Sequence, residues 1–388
     1  MLTIDGPVEK VIGTTHRRLP RRTHILKWLL PILVMAWVVQ FAPIERSNAL
    51  ERSDTTVSTP SSPVLSWSNP VAISPSGSGV DSEVASVSCA TPSFCLAALG
   101  SYGIITYNGT SWSAPVQFNG SDIIWGVSCA SISFCVAADQ SGYLFEYNGQ
   151  GWSSSIDIGI GTPNFLSCLS SSFCMTDGSN GWSQYNGSNW SASQSLGSTI
   201  VNISCTSSTF CLAYDIDGWS EFNGFGWFPV AALNINGTNP TWFTCVSASF
   251  CIATWSIETC TTWLSCTVGN TYSSTFNGLF WGPESLIGSG FYPLDPVCFS
   301  ATLCFVLGGN GIEVFNGTWL STPEPFGPDT ELGTTSMSCL SISFCMVVGV
   351  DTLDSFNPTS YAFHLQFNNG PSEVLGITCG DNLPSRGC

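Results

Sequence analysis

The sequence predicts an all-β fold, a seven-bladed propeller of four-stranded antiparallel blades. Cysteine pairs with a common offset of six residues recur seven times, every 37 to 53 residues, which is a period typical of propeller blades. In six copies an Asn-Gly step is followed by a tryptophan, and the seventh copy has the Asn-Gly step without the tryptophan. The repeated pairs are Cys89 and Cys95, Cys129 and Cys135, Cys168 and Cys174, Cys205 and Cys211, Cys245 and Cys251, Cys298 and Cys304, and Cys339 and Cys345.

Every copy is interpreted as four strands in the same order. The first strand ends at the first cysteine, the second begins with the second cysteine, the third ends in an aromatic residue, and the fourth carries the tryptophan. We expect the Asn-Gly steps to form two-residue hairpin turns, because both residues tolerate positive φ. These steps begin at Asn108, Asn148, Asn186, Asn223, Asn277, Asn316 and Asn369.

The tryptophans predict how the ring closes. A tryptophan follows each of the first six Asn-Gly steps but not the seventh, whereas Ser66-Trp67-Ser68-Asn69-Pro70-Val71 matches Ser111-Trp112-Ser113-Ala114-Pro115-Val116. The N-terminal strand near Trp67 is therefore expected to complete the last blade, so that no sheet edge of an open array is exposed. The recurring tryptophans are either wedges between blades or platforms that stack on sugars, and a structural wedge is the default for a residue present in every copy.

The predicted propeller spans residues 64–370, with an insertion at 254–270 in blade five and a tail at 371–388. The insertion contains Cys260 and Cys266 at the same offset of six, and the tail contains Cys379 and Cys388. All eighteen cysteines can then form nine disulfides, which are typical of an oxidising compartment. Zinc is the alternative, but five intervening residues exceed the spacing of usual zinc motifs.

The N-terminus predicts export. Residues 1–27 carry six lysines or arginines, an apolar run covers residues 28–44, and Ser47-Asn48-Ala49 offers a small-x-small cleavage site. Residues 1–49 are thus a basic leader with either a cleaved signal peptide or an uncleaved signal anchor. Residues 50–63 form a Ser/Thr/Pro linker. We expect the propeller to be extracellular or at the cell surface, with a cytoplasmic N-terminus if the anchor is retained.

The charge balance excludes some partners. Charged residues make up 9% of the chain, against about 25% in typical domains. From Ser53 to Ser385 there is no lysine or arginine, and from Asp81 onward 21 acidic residues accompany only Arg386, a net charge of −20. Such a domain repels nucleic acid and anionic lipid. Since it can gain few positive charges, we also expect it to stay folded at about pH 2.

One turn carries a family resemblance. Tyr107-Asn-Gly-Thr-Ser-Trp112 stands where an Asp-box has its Asp-x-Gly-x-Thr-Trp turn. On this turn and on its repeats, the chain resembles bacterial secreted β-propeller proteins with sialidase-like, Asp-box-type repeats, and more loosely the tryptophan-docked propellers. The resemblance implies the propeller fold. It does not imply sialidase activity, because Asn replaces Asp and the domain has no arginine for the substrate-binding cluster.

The acidic residues predict a working face. The connections between second and third strands and those between blades lie at one end of the propeller, which we call the loop face. The two kinds of hairpin turn, between first and second strands and between third and fourth strands, lie at the opposite end, which we call the turn face. Fourteen of the 21 acids fall on the loop face, where the candidate ligand-binding residues are Asp122, Asp139, Asp177, Glu258, Asp351 and Asp354. Asp215 and Asp217 share one tight turn and are the candidate ligands for Ca²⁺, although a full site needs more oxygens. No other cofactor is expected.

The expected function is a non-enzymatic binding module that uses the loop face. Its partner would be a glycan, a peptide or a surface protein, and the protein would be monomeric, contacting the membrane only through an uncleaved N-terminal segment. A carbohydrate-active hydrolase or lyase with a pair of carboxylates at the propeller mouth is the first alternative. An envelope scaffold without a small ligand is the second.

Overall fold

The residues that the structure describes form 27 strands and no helix. A computed structural model describes residues 66–74, 83–118, 123–196, 200–215, 218–230, 242–262, 265–308, 311–320, 324–326, 332–351 and 359–366. All of them belong to the unit Thr59–Cys388. Within these ranges no helix is long and apolar enough to cross a membrane. The predicted leader, the linker and the tail at 371–388 lie outside the described residues.

The strands assemble into seven antiparallel sheets, one for each predicted blade, and the seven-bladed propeller is confirmed. Blade one contains β3 (Ser86–Thr91), β4 (Phe94–Ala98) and β5 (Ile104–Tyr107); blade two β6 (Ile124–Ser131), β7 (Phe134–Asp139), β8 (Tyr143–Tyr147) and β9 (Ile156–Asp157); and blade three β10 (Pro163–Ser170), β11 (Phe173–Gly178) and β12 (Gly181–Tyr185). Blade four contains β13 (Ile200–Ser207), β14 (Phe210–Asp215), β15 (Gly218–Phe222) and β16 (Trp227–Val230), and blade five β17 (Trp242–Ser247), β18 (Phe250–Thr262), β19 (Ser265–Phe276) and β20 (Ser285–Ser289). Blade six contains β21 (Leu294–Ser300), β22 (Leu303–Leu307), β23 (Gly311–Phe315) and β24 (Glu324–Pro325).

The last blade is completed by the N-terminal strand, as the tryptophan pattern predicts. It contains β25 (Leu332–Ser341), β26 (Phe344–Asp351), β27 (Ser360–Gln366), β1 (Ser66–Trp67) and β2 (Val71–Ala72). Both N-terminal strands pair antiparallel with β27. The Ser68 hydroxyl accepts a hydrogen bond from the His364 backbone N–H, just as the Ser113 hydroxyl does from Thr106 in blade one. In blades one and three, single bridges at Trp112, Val116, Trp190 and Gln194 replace a longer fourth strand.

The first strands of all blades surround the axis, and each contacts the first strand of the next blade, with β25 contacting β3. Hydroxyl groups join these strands. The residue before the first cysteine accepts a hydrogen bond of 2.9 Å from the cysteine N–H of the next blade at Ser88, Ser128 and Ser204. Apolar clusters between blades, such as the one that joins Val87 of blade one to Val348 of blade seven, form the core.

The seven hairpin disulfides are present in the structure. Each joins the end of a first strand to the start of the second, and the two cysteines lie opposite one another in register. The predicted pairs thus lock the hairpins on the turn face. Cys260 and Cys266 are opposite in the backbone register of blade five, but their pairing and that of Cys379 with Cys388 lie outside the described residues.

The Asn-Gly turns differ from the prediction. Only the glycine has positive φ, for example 95° at Gly109, and Asn108 does not. The Asn108 side-chain oxygen instead accepts hydrogen bonds from the backbone N–H groups of Thr110 and Ser111, at 3.0 and 2.9 Å. The turn is therefore an asparagine-capped loop rather than a two-residue hairpin, because a side-chain acceptor satisfies two N–H groups that a tight turn would leave to solvent.

The recurring tryptophans are wedges. Each one packs on the aromatic residue at the end of its own third strand, as Trp152 does on Tyr147 at 5.3 Å between ring centroids. Several also contact the preceding blade. Trp281 of blade five lies 4.4 Å from Trp219 of blade four, and the Trp190 indole N–H of blade three donates to Glu146 of blade two at 3.0 Å. These contacts explain their recurrence by packing.

The insertion in blade five does not form a separate loop. Residues 254–270 extend β18 and β19 into one long antiparallel hairpin, in which Glu258 lies opposite Val268. The hairpin projects from the loop face because it lengthens the connection between second and third strands. It is the largest departure from the repeat on that face.

Candidate binding site at the channel mouth

A cavity of about 410 Å³ lies on the propeller axis and is lined by the first strands of all seven blades. Its lining extends from residues near the starts of these strands, such as Trp125 and Pro163, to Cys205, Cys245 and Cys298 near their ends. This volume is within the range of small-ligand and peptide side-chain pockets. A binding site on the loop face stays a prediction, and none of the acids predicted to bind a ligand is among the lining residues.

Each blade contributes to the lining of this cavity one residue from the same position of the repeat. It stands three positions before the first cysteine, and we call the seven together the mouth ring: Ser86, Gly126, Phe165, Asn202, Trp242, Asp295 and Ser336. The neighbouring cysteine, hydroxyl and aromatic positions repeat almost unchanged from blade to blade. The mouth ring does not repeat, and its chemically distinct side chains are concentrated in blades three to six.

In three blades the mouth ring also holds the blades together. The hydroxyls of Ser86 and Ser336 each accept a hydrogen bond from the backbone of the next blade, at 3.4 Å from Val127 and Val87 respectively. Asp295 takes the same position in blade six. Its Oδ2 accepts a hydrogen bond from the Met337 backbone N–H and one from the Ser336 hydroxyl, both at 3.3 Å.

Asp295 is the charged residue of the mouth ring. It is the bulge residue of β21, and its φ of 31° is the only positive value among the described residues other than glycine. Bulges re-aim side chains, and a strained φ outside glycine persists where the surrounding structure fixes it. Burial raises the pKa of Asp295 to about 6, while the bonds from Met337 and Ser336 partly oppose this effect. No described residue donates to its second oxygen, Oδ1.

Two further ring residues carry unsatisfied polar atoms. Asn202 is 5% exposed, and its Oδ1 accepts no hydrogen bond from the described part of the chain. The indole N–H of Trp242, in the next blade, is likewise buried without an acceptor there. A buried polar atom without a partner is costly. Both atoms are covered by the surrounding protein atoms, so a molecule in the cavity would reach them only after neighbouring side chains had moved.

The opposite side of the mouth is open. Trp125 is the bulge residue of β6 and is 52% exposed. A Cβ atom on the adjacent Gly126 would meet nothing within 4 Å. This part of the rim therefore combines free space with an aromatic surface on which an apolar group can pack.

Asp139, which the sequence analysis places among the candidate ligand-binding acids, has a structural role. Its side chain is fully buried. Its Oδ1 accepts hydrogen bonds of 2.9 Å from the backbone N–H groups of Ser141 and Tyr143. Asp139 is therefore a cap of the turn between the second and third strands, and its carboxylate is buried rather than exposed on the loop face; that it contributes to ligand binding stays a prediction.

Asp177 is also buried, with 0% exposure, so it cannot contact a ligand on the surface. Burial raises its pKa well above the ordinary value, and the nearby N–H groups of Phe165 and of Asp177 itself, with the Asn164 side chain, offset only part of this effect. None of them makes a hydrogen bond of good geometry to its oxygens. Asp177 lies opposite Phe165 of the mouth ring in the backbone register of blade three.

The other predicted acids are not brought together. Glu258 is exposed on the extended hairpin of blade five. The side chains of Asp215 and Asp351 and the residues Asp122, Asp217 and Asp354 lie outside the described part of the structure, and so the predicted Ca²⁺ ligands do too. In the described ranges no three histidine, cysteine or acidic side chains are grouped as a metal site.

A glycosidase-like mechanism needs two carboxyl groups across the scissile bond. Among the described residues, Asp295 is the only acid that lines the cavity. The arrangement can bind a donor or a cation at Asp295, but these residues do not supply the second carboxyl group.

Sequence reasoning missed the mouth ring because acidic residues were selected one by one. The information was present in the alignment of the copies. Counting three positions back from the first cysteine of each copy gives residues that differ in size, charge and aromaticity, whereas the cysteines themselves are the same in every copy.

Comparison with known proteins identifies the fold. No protein-family model and no curated protein matches the sequence. Among solved structures, "YCF48 bound to D1 peptide" is 14% identical with a TM-score of 0.56, over 79% of this chain and 99% of that chain. YCF48 from Cyanidioschyzon merolae is 13% identical with a TM-score of 0.57, over 77% and 99%. The WD40 β-propeller domain of Doa1 is 10% identical with a TM-score of 0.52, over 78% and 98%. At these identities the similarity shows the fold alone, and this chain is a β-propeller.

Proposed function

We propose that this protein is an exported, non-enzymatic binding module that holds a peptide segment at the mouth of its central channel. The observation that carries the proposal is the axial cavity of about 410 Å³, which the first strands of all seven blades line and in which the mouth-ring side chains differ between blades. In this proposal Asp295 receives a basic side chain or an amino terminus of the peptide. Trp125 and Trp242 pack on its apolar groups.

The chemistry of the cavity favours a peptide over a glycan. Asp295, the one described acid that lines the cavity, can pair with the amino terminus or a basic side chain of a peptide, whereas a neutral sugar carries no such group. The domain has no lysine or arginine to bind an acidic ligand. One similar solved structure is that of YCF48 bound to D1 peptide, which supports the same class of ligand here.

The cysteines support the proposed location. Seven hairpin disulfides are typical of proteins that fold in an oxidising compartment, and the basic leader with its apolar run at 28–44 would direct export. We therefore propose that the propeller works outside the cytoplasm, in solution or at the cell surface.

A peptide display library, selected against the full chain, tests the function. Peptides recovered from it would be synthesised and their dissociation constants measured. Gly126→Leu fills the open part of the rim without a clash at Cβ, and it should weaken binding by at least about tenfold, a change of about 1.4 kcal/mol. Asp295→Asn should weaken only peptides that contain a basic group. Glu284→Gln replaces a carboxylate at an exposed site outside the cavity and is the control.

Two results would reject the proposal. In the first, the recovered peptides bind Gly126→Leu as tightly as the parent protein. In the second, a parallel screen of glycans and glycoside substrates reveals turnover that Asp295→Asn abolishes, which would favour the hydrolase. Folding of each variant is checked by circular dichroism before binding is compared.

A further inference from the structure

The turn face is chemically different from the rest of this anionic domain. Its described part consists of 13 turns, at residues 92–93, 132–133, 171–172, 208–209, 248–249, 301–302 and 342–343, and at 108–111, 148–151, 186–189, 223–226, 277–280 and 316–318. None of these residues is charged, although the domain carries a net charge of −20. Hydroxyl groups and backbone dominate this surface, and it therefore lacks the charges that keep most exposed surfaces hydrated.

Large apolar side chains project from this face in two neighbouring blades. Phe225 in blade four is 96% exposed, and Leu279 and Phe280 in blade five are 77% and 55% exposed. They stand in the asparagine-capped turns, where blades two and three have Gln150 and Ser188. The turn does not require these apolar residues, because the same geometry forms with polar ones. Exposed apolar groups that the fold does not need indicate a contact surface.

The N-terminal segment enters the propeller at this same face. Ser66 pairs with Gln366, the last residue of β27, and β27 runs from the loop face to the turn face. The chain therefore arrives at the turn face. The predicted apolar segment at 28–44 ends 22 residues before Ser66, a distance of at most about 80 Å when fully extended.

We infer that the turn face lies on the surface of an electrically neutral lipid bilayer, with Phe225, Leu279 and Phe280 inserted between the headgroups. Aromatic and leucine side chains are the residues that enter the boundary between headgroups and acyl chains. The described turns of this face contain no acid that would have to be desolvated on contact with lipid. The acids of the loop face and the channel mouth then point away from the membrane, where a soluble ligand can reach them.

The competing occupants are a second copy of the chain, another protein and the chain's own residues 367–388. The bilayer is favoured because an uncleaved signal anchor at 28–44, one of the two alternatives for the leader, would tether the domain to a bilayer through Ser66 at this face. The inference rests on the proposed export with a retained anchor and not on peptide binding, so it and the peptide-binding proposal can fail separately.

Photocrosslinking of the full chain in phosphatidylcholine liposomes tests the inference. Phe225→benzoylphenylalanine places a photoreactive group on the turn face, and Tyr143→benzoylphenylalanine places it on the loop face as the matched control. Mass spectrometry should find a phospholipid adduct at position 225 in about tenfold higher yield than at 143, as expected if lipid buries the side chain.

A second variant separates insertion from simple proximity. Leu279→Ser with Phe280→Asn reproduces the blade-three turn Asn186-Gly-Ser-Asn-Trp190 in blade five, so it preserves the fold. It should lower the lipid adduct at 225 several-fold if the three side chains insert together. Equal yields at 225 and 143, no lipid adduct, or a crosslink from 225 to protein or to residues 367–388 would overturn the inference.

Discussion

The hydroxyl oxygen of Ser338 in the last blade accepts a hydrogen bond of 3.0 Å from the backbone N–H of Cys89 in the first blade. The two residues are 249 positions apart, and the bond closes the ring of first strands. Ser88 and Cys129 form the equivalent hydrogen bond between blades one and two. The ring is therefore closed at its axis by the same contact that joins three of its internal seams, at Ser88, Ser128 and Ser204.

Loss of this hydroxyl should destabilise the ring. Ser338→Ala leaves the Cys89 N–H without its acceptor, and a buried donor without a partner costs about 1–3 kcal/mol. We expect a decrease of that size in the free energy of unfolding, measured by chemical denaturation with the disulfides intact. Ser154→Ala removes an exposed hydroxyl that makes no bond to a neighbouring blade among the described residues, and it should change stability by less than about 0.5 kcal/mol. Equal effects of both substitutions would contradict this role.

The sequence predicts the ring much better than the site, for a physical reason. Blade number, disulfide register and closure by Trp67 follow from residues that repeat, because the same side chains pack in the same way in each blade. Asp295 could not be selected in this way, since its position depends on a bulge that is shifted by one residue relative to blade two. Whether an acid in a loop is exposed or caps a turn also depends on backbone geometry, as Asp139 demonstrates.

The turn that Asp139 caps depends on a glycine. Gly142 has a φ of 93°, and a Cβ atom there would overlap the carbonyl oxygen of Gly161. Gly142→Ala should therefore lower the free energy of unfolding by at least about 2 kcal/mol. Gly151 has no positive φ, and a Cβ atom added to it would meet nothing within 4 Å, so Gly151→Ala should be neutral or slightly stabilising. Thermal unfolding of both variants measures the difference, and a neutral Gly142→Ala would refute the constraint.

Asp139 itself should affect stability and not ligand binding. Asp139→Ala removes the acceptor of the Ser141 and Tyr143 N–H groups, and hydrogen bonds to a charged group contribute about 1.5–3 kcal/mol. We expect a loss of about 2–3 kcal/mol in unfolding free energy. Asp139→Asn keeps an acceptor oxygen and should lose less. Binding of the recovered peptides, corrected for the unfolded fraction, should be unchanged in both, and a specific loss of affinity would restore Asp139 to the ligand site.

The buried acids predict that the domain is more stable in mild acid than at neutral pH. Burial raises the pKa of Glu313 to about 7; the side chain lies near the backbone of Gly288 in the preceding blade, and the domain has no lysine or arginine to pair with it. The folded state thus keeps a proton that the unfolded state loses above about pH 4.5. This contribution is complete below that value and is lost as the pH rises through about 7.

From pH 8 to pH 5 the free energy of unfolding should therefore rise, by up to about 3 kcal/mol from Glu313 alone. Asp295, with its pKa near 6, and Asp177 act in the same direction. Glu313→Gln should flatten this slope and raise stability at pH 8, because an amide carries no charge to bury. Glu284→Gln, at an exposed position, should leave the slope unchanged. Denaturant titrations at pH 5 and pH 8 measure all three proteins, and a parent protein that is less stable at pH 5 would show that exposed acids, not buried ones, set the response.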